Sequence, residues 1–260
     1  MALAIAACQS PAPKLPPRTR IAHITLHTTP ATAELAHHLV TAYNTAHPGQ
    51  RLLLRRLDAS YAAILRTTAE APPEDYALVE YLPPTVSLWA APIGQMPLGI
   101  VTHPDVDVDT LNMVTLGAIF HGQITNWRGV DGANLPVRIA SREAGSPLET
   151  ALKDTLLDNQ QIAPGARILN TDRALLDYVS ATPGAIGYVL LPPGDSPPFV
   201  RVLALDDAPP GDPAYPLTLT LYITGPGEPD DPLYDFIAWL QSAEGQQTLT
   251  SLMWPLHPGE

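Results

Sequence analysis

The chain has 260 residues, a formal net charge of −12, and 45% hydrophobic against 15% charged residues, the make-up of a folded chain with room for one large core or two smaller ones. Its 14 basic residues form no run longer than Arg55-Arg56, which argues against nucleic acid as a partner, since phosphate backbones are held by clustered Lys and Arg. No stretch of about 18 apolar residues occurs, so no membrane-spanning helix is expected.

The N-terminus reads Met1-Ala-Leu-Ala-Ile-Ala-Ala-Cys8, followed by a Pro-rich stretch from Pro11 to Pro17. A short apolar run ending in small residues suits the end of a signal peptide, and Ile5-Ala6-Ala7-Cys8 resembles a bacterial lipobox. The expectation is a lipidated Cys8 and a tether over residues 1–20, outside the folded body. The chain has 30 prolines in all, and beyond this stretch several fall in loop-like pairs such as Pro83-Pro84, Pro192-Pro193 and Pro209-Pro210, which punctuate elements.

From Ile21 to His27 the residues are β-prone. From Ala31 the pattern turns helical, with Leu35, Leu39 and Tyr43 four residues apart and a stop at His47-Pro48-Gly49. Arg51–Leu57 reads as a strand, Tyr61–Glu70 as a helix and Tyr76–Val79 as a third strand. This alternation predicts a mostly parallel sheet with right-handed crossovers. Further on, Leu98–Thr102, Val137–Ala140, Ala185–Leu190 and Leu217–Thr224 are strand-like. Leu116–Phe120, Ser146–Asp158, Ala174–Ser180 and Leu233–Leu252 are helical. No internal repeat is found.

Four segments then appear in a fixed order: Ala118-Ile-Phe-His-Gly-Gln-Ile-Thr-Asn-Trp127, Ser141-Arg-Glu-Ala-Gly-Ser-Pro-Leu-Glu149, Thr182-Pro-Gly-Ala-Ile-Gly-Tyr188, and Tyr215-Pro-Leu217 with Ser242-Ala-Glu-Gly-Gln246. As an ordered set they resemble the phosphate-binding family of type II periplasmic binding proteins, from about residue 21 to the end. The resemblance implies an α/β fold of two lobes, each with a mostly parallel sheet, joined by two crossing strands near Leu98–Thr102 and Val200–Leu203. Lobe I would combine residues 21–100 and 199–260, and lobe II would hold 101–198. It also implies the solute receptor of an ABC importer: a small oxyanion or polar solute between the lobes, a permease partner, an extracytoplasmic location and a monomeric state.

Helix N-termini suit such a ligand, because free backbone N–H groups and the helix dipole favour negative charge. Thr29 can cap a helix beginning at Pro30, leaving the N–H groups of Ala31 and Thr32 free. Ser146 can cap a helix beginning at Pro147, with Gly145 in the loop and Arg142 upstream as a fork-shaped donor. By resemblance Arg142 and Ser146 fall on ligand-contacting positions, with Thr29 and Thr32 nearby. Glu80 and Tyr81 come directly after the third strand, where an acid can accept the proton of a protonated oxyanion.

The loop also departs from the family, which carries Gly-Thr where this chain has Pro147-Leu148. Proline removes an N–H, and Ser146-Pro-Leu-Glu149 reads as a capping box in which Glu149 returns to its own helix start. The alternative reading is therefore a degenerate domain serving as a cell-surface sensor or interaction module. Trp127 and Tyr188 read as packing residues. No nucleophile motif, Gly-rich nucleotide loop, paired carboxylates or metal-ligand set stands out, so neither catalysis nor a cofactor is expected.

Overall fold

The computed structural model describes residues 20–29, 31–58, 61–70 and 76–256. Cys8, most of the expected tether and Pro30 lie outside the described residues. Strands β1 (Arg20–Thr28) and β2 (Gln50–Asp58) pair in parallel along their nine-residue lengths, joined by α1 (Thr32–Ala46). Ala36, Leu39, Val40 and Tyr43 recur at helical spacing and are among the residues α1 buries, as an amphipathic crossover requires. Helix α2 (Tyr61–Glu70) leads to β3 (Tyr76–Val79), which pairs with β1 in parallel. All four residues of β3 are buried, which fits a central strand covered on both faces.

β4 (Trp89–Thr102) is 14 residues long and changes partner midway. The segments after it are β5 (Thr110–Leu111), α3 (Met113–Phe120), β6 (Arg138–Ser141), α4 (Pro147–Leu156), β7 (Arg167–Ile168), α5 (Asp172–Ala181) and β8 (Ala185–Leu190). Then come β9 (Arg201–Val202), β10 (Ala204–Leu205), β11 (Thr218–Gly225), α6 (Leu233–Gln241) and α7 (Ala243–Thr248). The main sheet runs β2-β1-β3-β11-β4-β8-β6-β7, with β9 also on β4, while β5 and β10 form a separate pair.

The fold is thus α/β with two lobes. Trp89–Pro97 of β4 pairs with β11, and Leu98–Thr102 pairs with β8, so β4 itself carries the chain from one lobe to the other. Val200–Leu203 does not leave the second lobe. Val202 pairs with Val101, Leu203 donates to the Ile100 carbonyl at 2.9 Å, and the chain rejoins β4 only where Leu98 N–H donates to Leu217 O at 2.7 Å. Separate cores result from this division. Ile24, Leu39, Ile93, Ile223 and Phe236 anchor one; Ile100, Phe120, Trp127, Leu152 and Tyr188 anchor the other.

Two elements differ from the sequence expectation. β4 starts nine residues before Leu98, although Pro92 and Pro97 interrupt its strand pattern. Among the described residues that half pairs as a strand with β11, beside the isolated bridge of Gln95 to Trp254 and a bond from Leu191 N–H to Pro97 O, and the pairing slips between Leu221 and Tyr222; prolines are tolerated at such edges and irregularities. The expected helix Leu233–Leu252 is two helices. Ser242 ends α6 and caps α7 by accepting from Gly245 N–H at 3.0 Å, and a Cβ at Gly245 would lie 1.9 Å from the Trp239 carbonyl oxygen. Among the described residues no helix is long and apolar enough to cross a membrane.

Candidate functional site

β1 and β3 run parallel in register, with Thr28 opposite Leu78, so their C-terminal ends deliver Thr29 and Glu80 side by side. This is the edge at which open α/β sheets bind ligands. Thr29 Oγ1 donates to Glu80 Oε1 at 2.6 Å and lies 3.3 Å from Thr32 N–H. Thr29 N–H donates to Thr32 Oγ1 at 3.0 Å, and that hydroxyl donates to Leu78 O at 3.0 Å. Each hydroxyl therefore has one acceptor for its proton, and the pair locks the start of α1 to the end of β3. Helix α1 begins at Thr32, but the Thr29 carbonyl accepts from Ala33 N–H at 3.1 Å. Thr29 thus performs the capping expected of it, and the Thr32 N–H is not free for a ligand.

Glu80 is 1% exposed. Burial pushes its carboxyl up from 4.5 to about 7, helped by Asp172 and opposed by the Thr29 hydrogen bond, its own backbone and Arg142. Its second oxygen, Oε2, is buried without a partner among the described residues.

The other lobe supplies the opposite chemistry. β6 ends at Ser141, and Tyr188 on the neighbouring β8 holds the chain where it leaves the strand. The Tyr188 hydroxyl accepts from Arg142 N–H at 3.1 Å and shares a 2.9 Å hydrogen bond with Ser141 Oγ. Tyr188 is thus buried packing, as the sequence suggests, and also fixes the root of the Arg142 loop. The Arg142 side chain, 5% exposed, donates to Leu169 O at 3.3 Å and pairs with Asp172 at the first position of α5. Burial raises the Asp172 carboxyl, and the Arg142 charge and hydrogen bond oppose that rise. Arg142 Nε is left buried without a partner among the described residues.

Gly145, at φ +77°, makes the left-handed turn into α4, a conformation that favours glycine. The capping box expected over Ser146–Glu149 is displaced by one residue. Glu149 Oε2 accepts from Gly145 N–H at 3.0 Å, and Ser146 N–H goes to Glu143 O at 3.0 Å. Glu149 also sits 3.6 Å from Lys153 Nζ. Ser146 makes no side-chain cap bond, and its Oγ is a third buried atom without a partner among the described residues. The first-turn N–H groups of Leu148 and Glu149 therefore stay unclaimed by the cap, while the Gly145 N–H is occupied.

These residues meet in one cavity of about 700 Å³, lined by Thr29, Ala31, Tyr61, Ala62, Glu80, Arg142, Gly145, Ser146, Pro147, Leu148, Asp172 and their neighbours. Of the eight positions singled out from the sequence, the cavity gathers six. Thr32 instead lines a second cavity of about 370 Å³ that shares Ala31, Glu80 and Asp172 with the first, and Tyr81 lies outside both. Tyr81 accepts from Tyr61 Oη through its carbonyl at 2.7 Å and donates from its own hydroxyl to Asp154 Oδ2 at 2.7 Å. That second bond links the segment after β3 to α4 across the lobes. Sequence reasoning missed Asp172 and Tyr61. The only available signals were an acid after a Thr171 cap and an aromatic residue at a helix start.

A family model described as a PBP superfamily domain matches residues 85–244. The phosphate-binding protein PstS of Borreliella burgdorferi is 24% identical over 96 residues, so the match spans about a third (34%) of that relative's length. Among solved structures, a substrate-binding protein of phosphate ABC transporter type from Clostridium perfringens, with phosphate bound, superposes with TM-score 0.75 at 17% identity, covering 90% of this chain and all of that one. An ABC-type phosphate transport receptor from Vibrio cholerae gives 0.72 at 22% identity over 91% of this chain and 100% of its own. At these identities the likeness establishes the two-lobed fold.

Proposed function

The chain belongs to the PBP superfamily, and on that footing we propose that it is the solute receptor of an ABC importer, holding a phosphate-class oxyanion between its lobes. One observation carries the reading. Glu80, Arg142 and Ser146 come from both lobes and line a single cavity, and each keeps one buried side-chain atom, Oε2, Nε and Oγ respectively, without a partner among the described residues. Buried polar atoms are rarely left unmatched, and an oxyanion matches all three. Its oxygens accept from Arg142, Ser146 Oγ–H and the first turn of α4, while its own proton goes to Glu80. Thr29 sets the Glu80 carboxylate in place, and the α4 dipole adds to the attraction.

The same observation favours a working receptor over a degenerate sensor, because Glu149 takes the Gly145 N–H and leaves Ser146 and Arg142 available. Binding needs no bond to be made or broken in the ligand, so the reading is not that of an enzyme. The chain's other roles belong to the same proposal: a monomer on the extracytoplasmic side, lipid-anchored at Cys8, docking on a permease once the lobes close. The site residues in this reading are Thr29, Ala31, Glu80, Arg142, Gly145 and Ser146, with Thr32 and Tyr81 as supports.

Thermal melting of the purified chain with millimolar phosphate, sulfate, molybdate and small organic acids tests the core of it. At least one should raise the midpoint in a concentration-dependent way; a flat response to all of them would sink the reading. Labelled fatty acid should be incorporated in cells and lost in Cys8→Ser.

A further inference from the structure

The cavity is built for more than a bare tetrahedral anion. Its volume of about 700 Å³ lies within the range of roughly 300–1,000 Å³ typical of pockets for drug-sized organic ligands. Most of the lining surface is apolar. The three unpartnered atoms belong to Glu80, Arg142 and Ser146. Elsewhere the wall has an apolar stretch, Tyr61 and Ala62 from the start of α2 with Pro147 and Leu148 from the start of α4, beside polar positions such as Thr29, Asn170 and Asp172. Tyr61 is 5% exposed and spends its hydroxyl on the Tyr81 carbonyl, so its side chain has no remaining proton to donate. Pro147 has no N–H, and Leu148 is an apolar side chain only 4% exposed.

Inorganic phosphate presents four oxygens, and each one desolvated without a partner is costly. Three vertices of a tetrahedron can be matched here by Arg142, Ser146 with the α4 first turn, and Glu80. A fourth vertex turned towards the Tyr61 ring, Ala62 and the Pro147-Leu148 edge would find no side-chain partner there. A carbon substituent at that vertex removes the unmatched oxygen and buries apolar surface in its place. The ligand's single exchangeable proton is still met by Glu80.

We propose that the preferred ligand is a monosubstituted tetrahedral oxyanion, an organic phosphonate or phosphate monoester, whose substituent packs on Tyr61, Ala62, Pro147 and Leu148. This rests on the oxyanion-receptor reading above and narrows it. Calorimetric titration of the full chain with inorganic phosphate, methylphosphonate, butylphosphonate and phenylphosphonate separates the two. Butyl- or phenylphosphonate should bind at least tenfold more tightly than inorganic phosphate. In Pro147→Ala, which restores an N–H at the first turn, that preference should shrink at least fivefold.

If inorganic phosphate binds as tightly as every phosphonate, the narrowing is wrong and the receptor reading stands. If none of the four binds, the narrowing falls, and the receptor reading falls with it when sulfate, molybdate and the organic acids also leave the melting midpoint unchanged. An unchanged preference in a folded Pro147→Ala would overturn the part assigned to the Pro147 edge. Phenyl phosphate and phenylphosphonate, compared directly, distinguish an ester from a phosphonate: a gap above tenfold identifies which linkage the wall accepts, and equal affinity leaves the shared oxyanion head as the recognised unit.

Discussion

Glu80→Gln is the sharpest perturbation of the site. The Glu80 carboxyl is wholly buried and its pKa is pushed up from 4.5 to about 7 by desolvation. At about 1.4 kcal/mol for each tenfold change, that difference corresponds to about 3 kcal/mol. The direction comes from linkage. Between pH 4.5 and about 7 the folded chain keeps a proton that the unfolded chain has released, so stability is highest below that window, falls as pH rises through it, and levels off above. Glutamine stays neutral throughout and retains an oxygen to accept from the Thr29 hydroxyl. The variant should therefore match the parent at pH 4.5 and exceed it by up to about 3 kcal/mol at pH 8, in ligand-free guanidinium melts. The same change replaces the acceptor for a ligand proton with an N–H donor. Protonated oxyanions should then lose affinity and sulfate, which carries no proton, should gain. A stability difference that is the same at both pH values, or a variant less stable at pH 8, would refute the argument.

Arg142→Lys keeps the charge but cannot reach Asp172, the Leu169 carbonyl and the cavity together; oxyanion affinity should fall by about 30-fold, roughly 2 kcal/mol, in calorimetry. Since Arg142 is only 5% exposed, weakening its pair with Asp172 should also lower the melting midpoint. Glu149→Gln retains an acceptor for Gly145 N–H while removing a negative charge from the first turn of α4. Anions should bind about 2- to 5-fold more tightly, the size of a helix-dipole effect, and unchanged affinity would mean that the α4 terminus does not face the ligand. Tyr81→Phe deletes the inter-lobe bond to Asp154 (2.7 Å). Loss of about 1 kcal/mol should weaken ligand binding roughly fivefold and leave the protein less compact in small-angle scattering.

Much of the scaffold could be read directly, because its elements obey local rules. The Tyr61–Glu70 helix and the Tyr76–Val79 strand coincide with their expected bounds. The misses are places where a tertiary contact overrides local pattern. Pro92 and Pro97 hide the first half of β4, which exists because β11 pairs with it. What looks like one C-terminal helix is broken where Ser242 caps α7, and the close approach of the Trp239 carbonyl leaves no room for a side chain at Gly245. The site divides the same way. Thr29, Glu80, Arg142 and Ser146 stand at strand ends and helix starts, positions that sequence marks. Asp172 could not be recognised, since 30 residues of sequence separate it from Arg142 and the parallel pairing of β6 with β7 brings them together. Thr32 was legible as a helix-start hydroxyl, yet it is spent on Leu78 because β3 lies close enough to accept its proton.

On the proposed reading, a chain with a net charge of −12 has to make an anion site locally, and the acids around the cavity are arranged in a way that fits this. Glu149 is held by the Gly145 N–H and Lys153. Asp172 is paired with Arg142, which neutralises much of the acid but also much of the arginine. Glu80 is driven by burial towards its neutral form near pH 7. What remains is close to uncharged: oriented N–H groups, one hydroxyl, a partly compensated guanidinium and a carboxyl able to take or share a proton. Strong net positive charge would draw any anion. This arrangement instead rewards a ligand that brings its own proton to Glu80, because the buried carboxylate is then relieved by the ligand that fills the cavity. Selection by proton and by shape can therefore operate even though the field of the whole molecule opposes anions.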